Sequence, residues 1–129
     1  MGKLRVEIRV VVVPLNDGDE VRVMAIAQRI IADIGAFVDS SVKPYAKPPG
    51  SYLVRLEANC EGDASRLVDG LVTTAGGTGW ATSGGDGEIE AIWAPQDGAA
   101  PPLCPATTWA QIQTIPLSAL PISRRLPAN

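Results

Sequence analysis

The sequence predicts an α+β fold: a ferredoxin-like βαββαβ two-layer sandwich with one or two extra C-terminal strands. Three observations predict it. Leu4–Val13 is a β-branched run that alternates at its start, with Val6, Ile8, Val10 and Val12 on one face and Arg5, Glu7 and Arg9 on the other. Two later segments repeat apolar residues at helical spacing. The remaining apolar runs are short and are separated by turn-forming Pro and Gly.

Taken in order, Leu4–Val13 is the first strand and Pro14–Asp19 turns the chain. Asp17 or Asp19 is placed to cap the helix that follows. Val23, Ile26, Ile30, Ile34 and Phe37 form the apolar stripe of that helix. Val42–Ala46 reads as a short strand confined to an edge by Pro44, which lacks the ladder donor. Ser51–Asn59 alternates again, with Tyr52, Val54, Leu56 and Ala58 opposed to Leu53, Arg55, Glu57 and Asn59. Asp63 caps the second helix, whose apolar side is Leu67, Val68, Leu71, Val72 and Ala75 and which Gly76-Gly77 stops. Trp80–Thr82 begins a strand, Ser83–Gly87 is a hairpin loop and Glu88–Trp93 returns. Thr107–Ile115 is the last strand. If Val42–Ala46 were only loop, the order would become β-α-β-α-β with a partly parallel sheet.

The 129 residues suit one domain over 1–115 followed by an irregular tail, 116–129. The tail has no clean period. Ala119-Leu120-Pro121-Ile122 is also what a common sequencing-adapter stretch encodes in one frame, so a non-native tail is the alternative to a disordered or loosely docked one.

Composition narrows the functional classes. A net charge of −3 disfavours nucleic-acid and anionic-membrane partners, which attract clustered Lys and Arg. No apolar run is long enough to span a bilayer. Cys60 and Cys104 have no C-x-x-C spacing and read as reduced thiols of a cytoplasmic protein. The chain has no histidine, hence no imidazole base or metal ligand.

The motifs that invite chemistry are weak. Gly77-Thr78-Gly79 starts like a dinucleotide fingerprint, but it follows a helix and precedes a strand, the reverse of what a phosphate cradle needs. Asp86, Glu88 and Glu90 form an acidic cluster without EF-hand spacing, which a solvated strand face explains. No G-x-S-x-G is present. Tyr45, Tyr52, Lys43 and Lys47 have no spacing that marks them for acid–base work. No metal or cofactor is predicted.

The sequence therefore favours a non-catalytic protein-binding domain over an enzyme. The sheet face turned away from the helices carries Arg5, Glu7, Arg9, Arg55, Glu57, Glu88 and Glu90 around Val11, Val13, Leu53 and Ile92. Trp109 shares a strand face with Gln111 and Gln113 and is the candidate recognition aromatic. The predicted contact residues are Arg9, Leu53, Arg55, Glu88, Glu90, Ile92 and Trp109. The partner is a second copy or another protein, as for a small cytosolic inhibitor or immunity-type protein. The alternative is a small enzyme or ligand binder with a pocket between sheet and helices, using carboxylates or tyrosine.

Overall fold

We analysed a computed structural model that describes residues 3–46 and 49–120. Strand β1 (Lys3–Val12) is the axis of the fold. Its even-numbered residues, Leu4, Val6, Ile8, Val10 and Val12, are all buried. Strand β3 (Ser51–Glu61) flanks it on one side and β6 (Thr107–Pro116) on the other. Outside β3 lies β2 (Ala36–Tyr45); outside β6 lie β5 (Glu88–Trp93) and then β4 (Ala81–Gly85). The sheet order is β2-β3-β1-β6-β5-β4, and every neighbouring pair is antiparallel. The partly parallel alternative is thereby excluded.

Helices α1 (Asp19–Ala32) and α2 (Ala64–Ala75) pack on the even-numbered face of β1. Val23, Ala27, Ile30 and Ile31 of α1 meet Val68 and Leu71 of α2 over Val54, Leu56, Ala58, Ile89, Ala91, Trp93, Ala110 and Ile112. Each large aliphatic side chain buried there contributes about 1.5–3 kcal/mol of transfer free energy before chain entropy is subtracted.

The strand beside β1 is β6, not the first strand after α2. Its sequence explains the choice. Every residue of β4, Ala-Thr-Ser-Gly-Gly, is exposed, whereas β6 has Ala110, Ile112 and Thr114 to bury. The strand with an apolar face takes the centre and the strand without one takes the edge. β4 and β5 are joined by Asp86-Gly87, both left-handed (φ 54° and 86°), as a two-residue hairpin turn requires.

The first helix ends earlier than its apolar stripe suggests. The Gly35 backbone crosses β3 so closely that a Cβ there would lie 2.3 Å from the Asn59 carbonyl oxygen. The chain after this crossing joins the sheet, so Phe37 is not on the helix but on β2, 54% exposed. The short Val42–Ala46 strand becomes a ten-residue edge strand, with Pro44 opposite Tyr52. Ile26 is only half-buried.

The caps divide. Asp63 accepts from the Arg66 N–H at 3.2 Å, as expected. Neither Asp17 nor Asp19 caps α1, because Gly18 (φ 83°) occupies that position. Asp19 instead reaches back: Oδ2 accepts from the N–H groups of Leu15 and Asn16, both at 2.9 Å, and Oδ1 from Arg22 at 2.6 Å. These bonds fasten the turn from β1 into α1. They hold the Asp19 carboxyl below the usual carboxylate range, the Asn16 N–H most of all and against the opposing effect of burial.

Gly76–Trp80 does stop α2 and link it onward. Thr78 N–H donates to the Ala100 carbonyl (3.0 Å), Ala100 N–H to Thr78 Oγ1 (2.8 Å) and Leu103 N–H to the Ala75 carbonyl (2.9 Å). Trp80 and Trp93 donate their indole N–H groups to the Gly76 and Thr78 carbonyls. The segment is a structural clasp between the end of α2 and the loop before β6.

Candidate functional site

The antiparallel register sets the open face of the sheet in rows. Arg5 lies between Asn59 and Ile115. Glu7 lies between Glu57 and Gln113, and Gln113 pairs on to Glu90. Arg9 lies between Arg55 and Gln111, and Gln111 pairs on to Ile92. Val11 lies between Leu53 and Trp109. Strand alternation puts Glu88 on the same side, at the hairpin end opposite Gly85. The seven predicted contact residues therefore share one face.

Directly opposed like charges, Glu7 with Glu57 and Arg9 with Arg55, are unfavourable alone. The rows offset this by bonding to one another. Arg9 Nε bonds Glu7 Oε1, and Arg55 Nη2 donates to Glu57 Oε1 at 2.7 Å. Arg5 Nη1 donates to Glu57 Oε2 at 3.0 Å, and Arg5 Nε to Asn59 Oδ1 at 2.8 Å. Arg55 Nε stands 3.7 Å from Glu7 Oε1. Three guanidinium groups and two carboxylates thus form one lattice across β1 and β3.

The lattice is not the solvated rim that its composition suggests. The Arg5, Glu7 and Glu57 side chains are 1%, 2% and 11% exposed, against 42% for Arg9 and 37% for Arg55. One end of the face is buried and the other is open. At the open end Leu53, Trp109 and Ile92 are half-buried, and Val11 is enclosed between its neighbours. The one signal in the sequence for the lattice is the sign alternation Arg5-Glu7-Arg9 matched by Arg55-Glu57.

The other candidates lie apart. Asp86 is at the hairpin turn, away from the lattice rows. Tyr45 and Lys43 are exposed on edge strand β2, Tyr52 is half-buried, and Lys47 is outside the described residues. Cys60 is buried and Cys104 half-buried, both free thiols; burial pushes the Cys60 thiol up. Between sheet and helices the void measures about 10 Å³ and is lined by apolar residues such as Ile8, Ile30, Leu71 and Trp80. A groove of about 830 Å³ runs along Lys3, Asp63, Ser65 and the Gly84–Gly87 hairpin. Among the described residues no group of three or more Cys, Asp and Glu is placed to share a metal ion, and no helix is long and apolar enough to cross a membrane.

Compared with protein-family models, curated proteins and solved structures, the chain matches none.

Proposed function

We propose that the chain is a non-catalytic protein-contact module that binds through the open end of its sheet face. The observation that carries this reading is the row Leu53–Val11–Trp109, with Ile92 beside it, standing on the face that neither helix covers. Half-exposed Arg9 and Arg55 border that row, and Glu90 and Glu88 lie farther along. An apolar centre with an aromatic anchor and a charged margin is the composition of a protein contact. A ligand pocket in the core between sheet and helices has less support, because the void there is only about 10 Å³, barely room for a water molecule, and its lining is almost wholly apolar.

In this reading β2-β3-β1-β6 with α1 and α2 is a ferredoxin-like frame to which the β4–β5 hairpin is added. The partner is a second copy of the chain or another cytoplasmic protein, in the manner of a small inhibitor or immunity-type protein. Residues 3–115 then form the working domain.

Sedimentation of the purified chain over a concentration series tests the reading. A mass that rises to that of a dimer, or a stoichiometric protein that co-purifies and stays bound, supports it. A monomer up to the solubility limit that carries only a small molecule contradicts it.

A further inference from the structure

We propose that the outer edge of β4 pairs antiparallel with β4 of a second copy of the chain, joining the two sheets into one. Edge strands present unpaired N–H and C=O groups, and chains guard them with charge, proline or bulges. The two edges of this sheet differ in that respect. β2 carries Asp39, Lys43 and Pro44, and its register shifts between Phe37 and Asp39. Its Ser40 N–H is taken by Asp39 Oδ1 at 2.9 Å. β4, Ala-Thr-Ser-Gly-Gly, has no charge, no proline and no register shift, and all of it is exposed. Among the described residues nothing pairs with its outer side.

The hairpin fixes which groups face outward. Asp86-Gly87 is a two-residue turn, so Gly85 and Glu88 form the closing hydrogen-bonded pair. Counting back, Ser83 and Ala81 also bond inward to β5, and Thr82 and Gly84 turn their N–H and C=O groups outward. The same strand in a second copy offers the matching set. On a two-fold axis through Ser83, Thr82 opposes Gly84 of the second copy and Gly84 opposes Thr82, and each pair exchanges both N–H···O bonds. Ser83 then faces Ser83 of the second copy as a close, non-hydrogen-bonded pair whose hydroxyls can bond each other.

Charge, bulk and symmetry favour an identical copy as the occupant. No side chain on β4 is charged or larger than Thr, so nothing repels or collides across the axis. Glu90, which shares the Ser83 row, comes no closer than about 14 Å to its counterpart, beyond the screening length of about 8 Å. The pairing uses both β4 edges and leaves only the guarded β2 edges, so assembly stops at two copies. A strand pair this short buries far less than the roughly 800 Å² per partner of a stable complex, so the contact is weak and fills toward millimolar concentration. It uses none of the Leu53–Val11–Trp109 row and stands apart from the contact reading of that face.

Cross-linking tests it. The chain with Ser83→Cys and Cys104→Ser, retaining buried Cys60, is oxidised with diamide at millimolar concentration. In the proposed pair the introduced thiols sit on opposed Cα atoms about 4.5 Å apart, within disulfide reach. A linked dimer should form at least about tenfold faster than from Asp97→Cys, on an exposed loop, in the same background. Adding Thr82→Pro, which removes an outward N–H and spares the bonds to β5, should return the rate to the loop value. Adding Leu53→Glu, with circular dichroism unchanged, should leave the rate as it was. Equal rates at 83 and 97, a rate undiminished by Thr82→Pro, or cross-linking lost with Leu53→Glu in a folded chain overturns the pairing. If Ser83→Cys disturbs the hairpin, the unaltered chain decides. Exchange of its Thr82 and Gly84 amides should slow from micromolar to millimolar concentration while that of β2 stays constant, and exchange independent of concentration overturns the pairing.

Discussion

Replacing Glu57 by Gln tests whether the lattice behaves as a buried unit. The Glu57 carboxylate accepts from Arg5 at 3.0 Å and from Arg55 at 2.7 Å. The two guanidinium groups differ in what they can fall back on. Arg55 is 37% exposed and regains water; Arg5 is 1% exposed and keeps its bond to Asn59 Oδ1 at 2.8 Å, but water does not replace the lost carboxylate. Removing one member of a buried ion pair costs about 3–5 kcal/mol. Gln keeps one acceptor oxygen, so we place Glu57→Gln at the low end, about 3 kcal/mol. Arg5→Met should cost less, because Glu57 keeps its bond to the half-exposed Arg55. The double variant Arg5→Met, Glu57→Leu should recover much of the loss, since an apolar pair of similar volume can replace a buried ion pair at little cost. Urea unfolding reads all three. With a slope of about 1.5 kcal/mol per molar, Glu57→Gln should lower the midpoint by about 2 M. A shift below about a third of that, or a larger loss for Arg5→Met, would refute the claim that Arg5 depends on Glu57 in a buried setting.

Three further outcomes follow from the core and its turns. Ile30→Ala should cost about 2–5 kcal/mol in the same assay, because Ile30 is 8% exposed against Leu71 and Ile8; a loss under about half a kilocalorie would mean the α1 face is assigned wrongly. Asp19 has a depressed carboxyl pKa when folded, so its contribution is fully present above the unfolded value of about 3.9 and is lost as pH falls through the lower folded value. Asp19→Asn should therefore flatten the acid limb of the stability–pH curve, and an unchanged limb would contradict the bonding to Leu15 and Asn16. In the native protein iodoacetamide at mildly alkaline pH should modify Cys104 well before Cys60, whose buried thiol resists ionisation; faster labelling of Cys60, read by peptide mass, would be the contrary result.

Alternation carried much of the fold. The period-two pattern in Leu4–Val13 and Ser51–Asn59 correctly placed Val6, Ile8, Val10, Val54 and Leu56 in the core and Arg9, Leu53 and Arg55 on the other face. It worked because a one-residue slip would send every charge into the core. The helical period failed at Phe37, which continues the spacing of the α1 stripe but belongs to strand β2. The helix stops because Gly35 must pass close to Asn59, a tertiary contact with no local signature. The place of β6 beside β1 was hidden for a similar reason, since it depends on β4 having nothing to bury. The contact residues were legible as a face but not as an energy landscape. Burial of Arg5, Glu7 and Glu57 depends on their tertiary surroundings, and alternation reports only which way a side chain points.

The central claim is that the Leu53–Val11–Trp109 row is a protein contact, and one substitution addresses it most directly. Leu53 is half-buried on the open face, so a charge there should be tolerated by the isolated fold but not by a partner's apolar surface. Sedimentation of Leu53→Glu, with circular dichroism and urea unfolding alongside, separates the two effects. We expect a folded chain of near wild-type stability that no longer associates, while the rim variant Glu90→Gln associates like wild type apart from its salt dependence. A Leu53→Glu chain that associates as before would show the face to be ordinary solvated sheet, and one that unfolds would place Leu53 in the core.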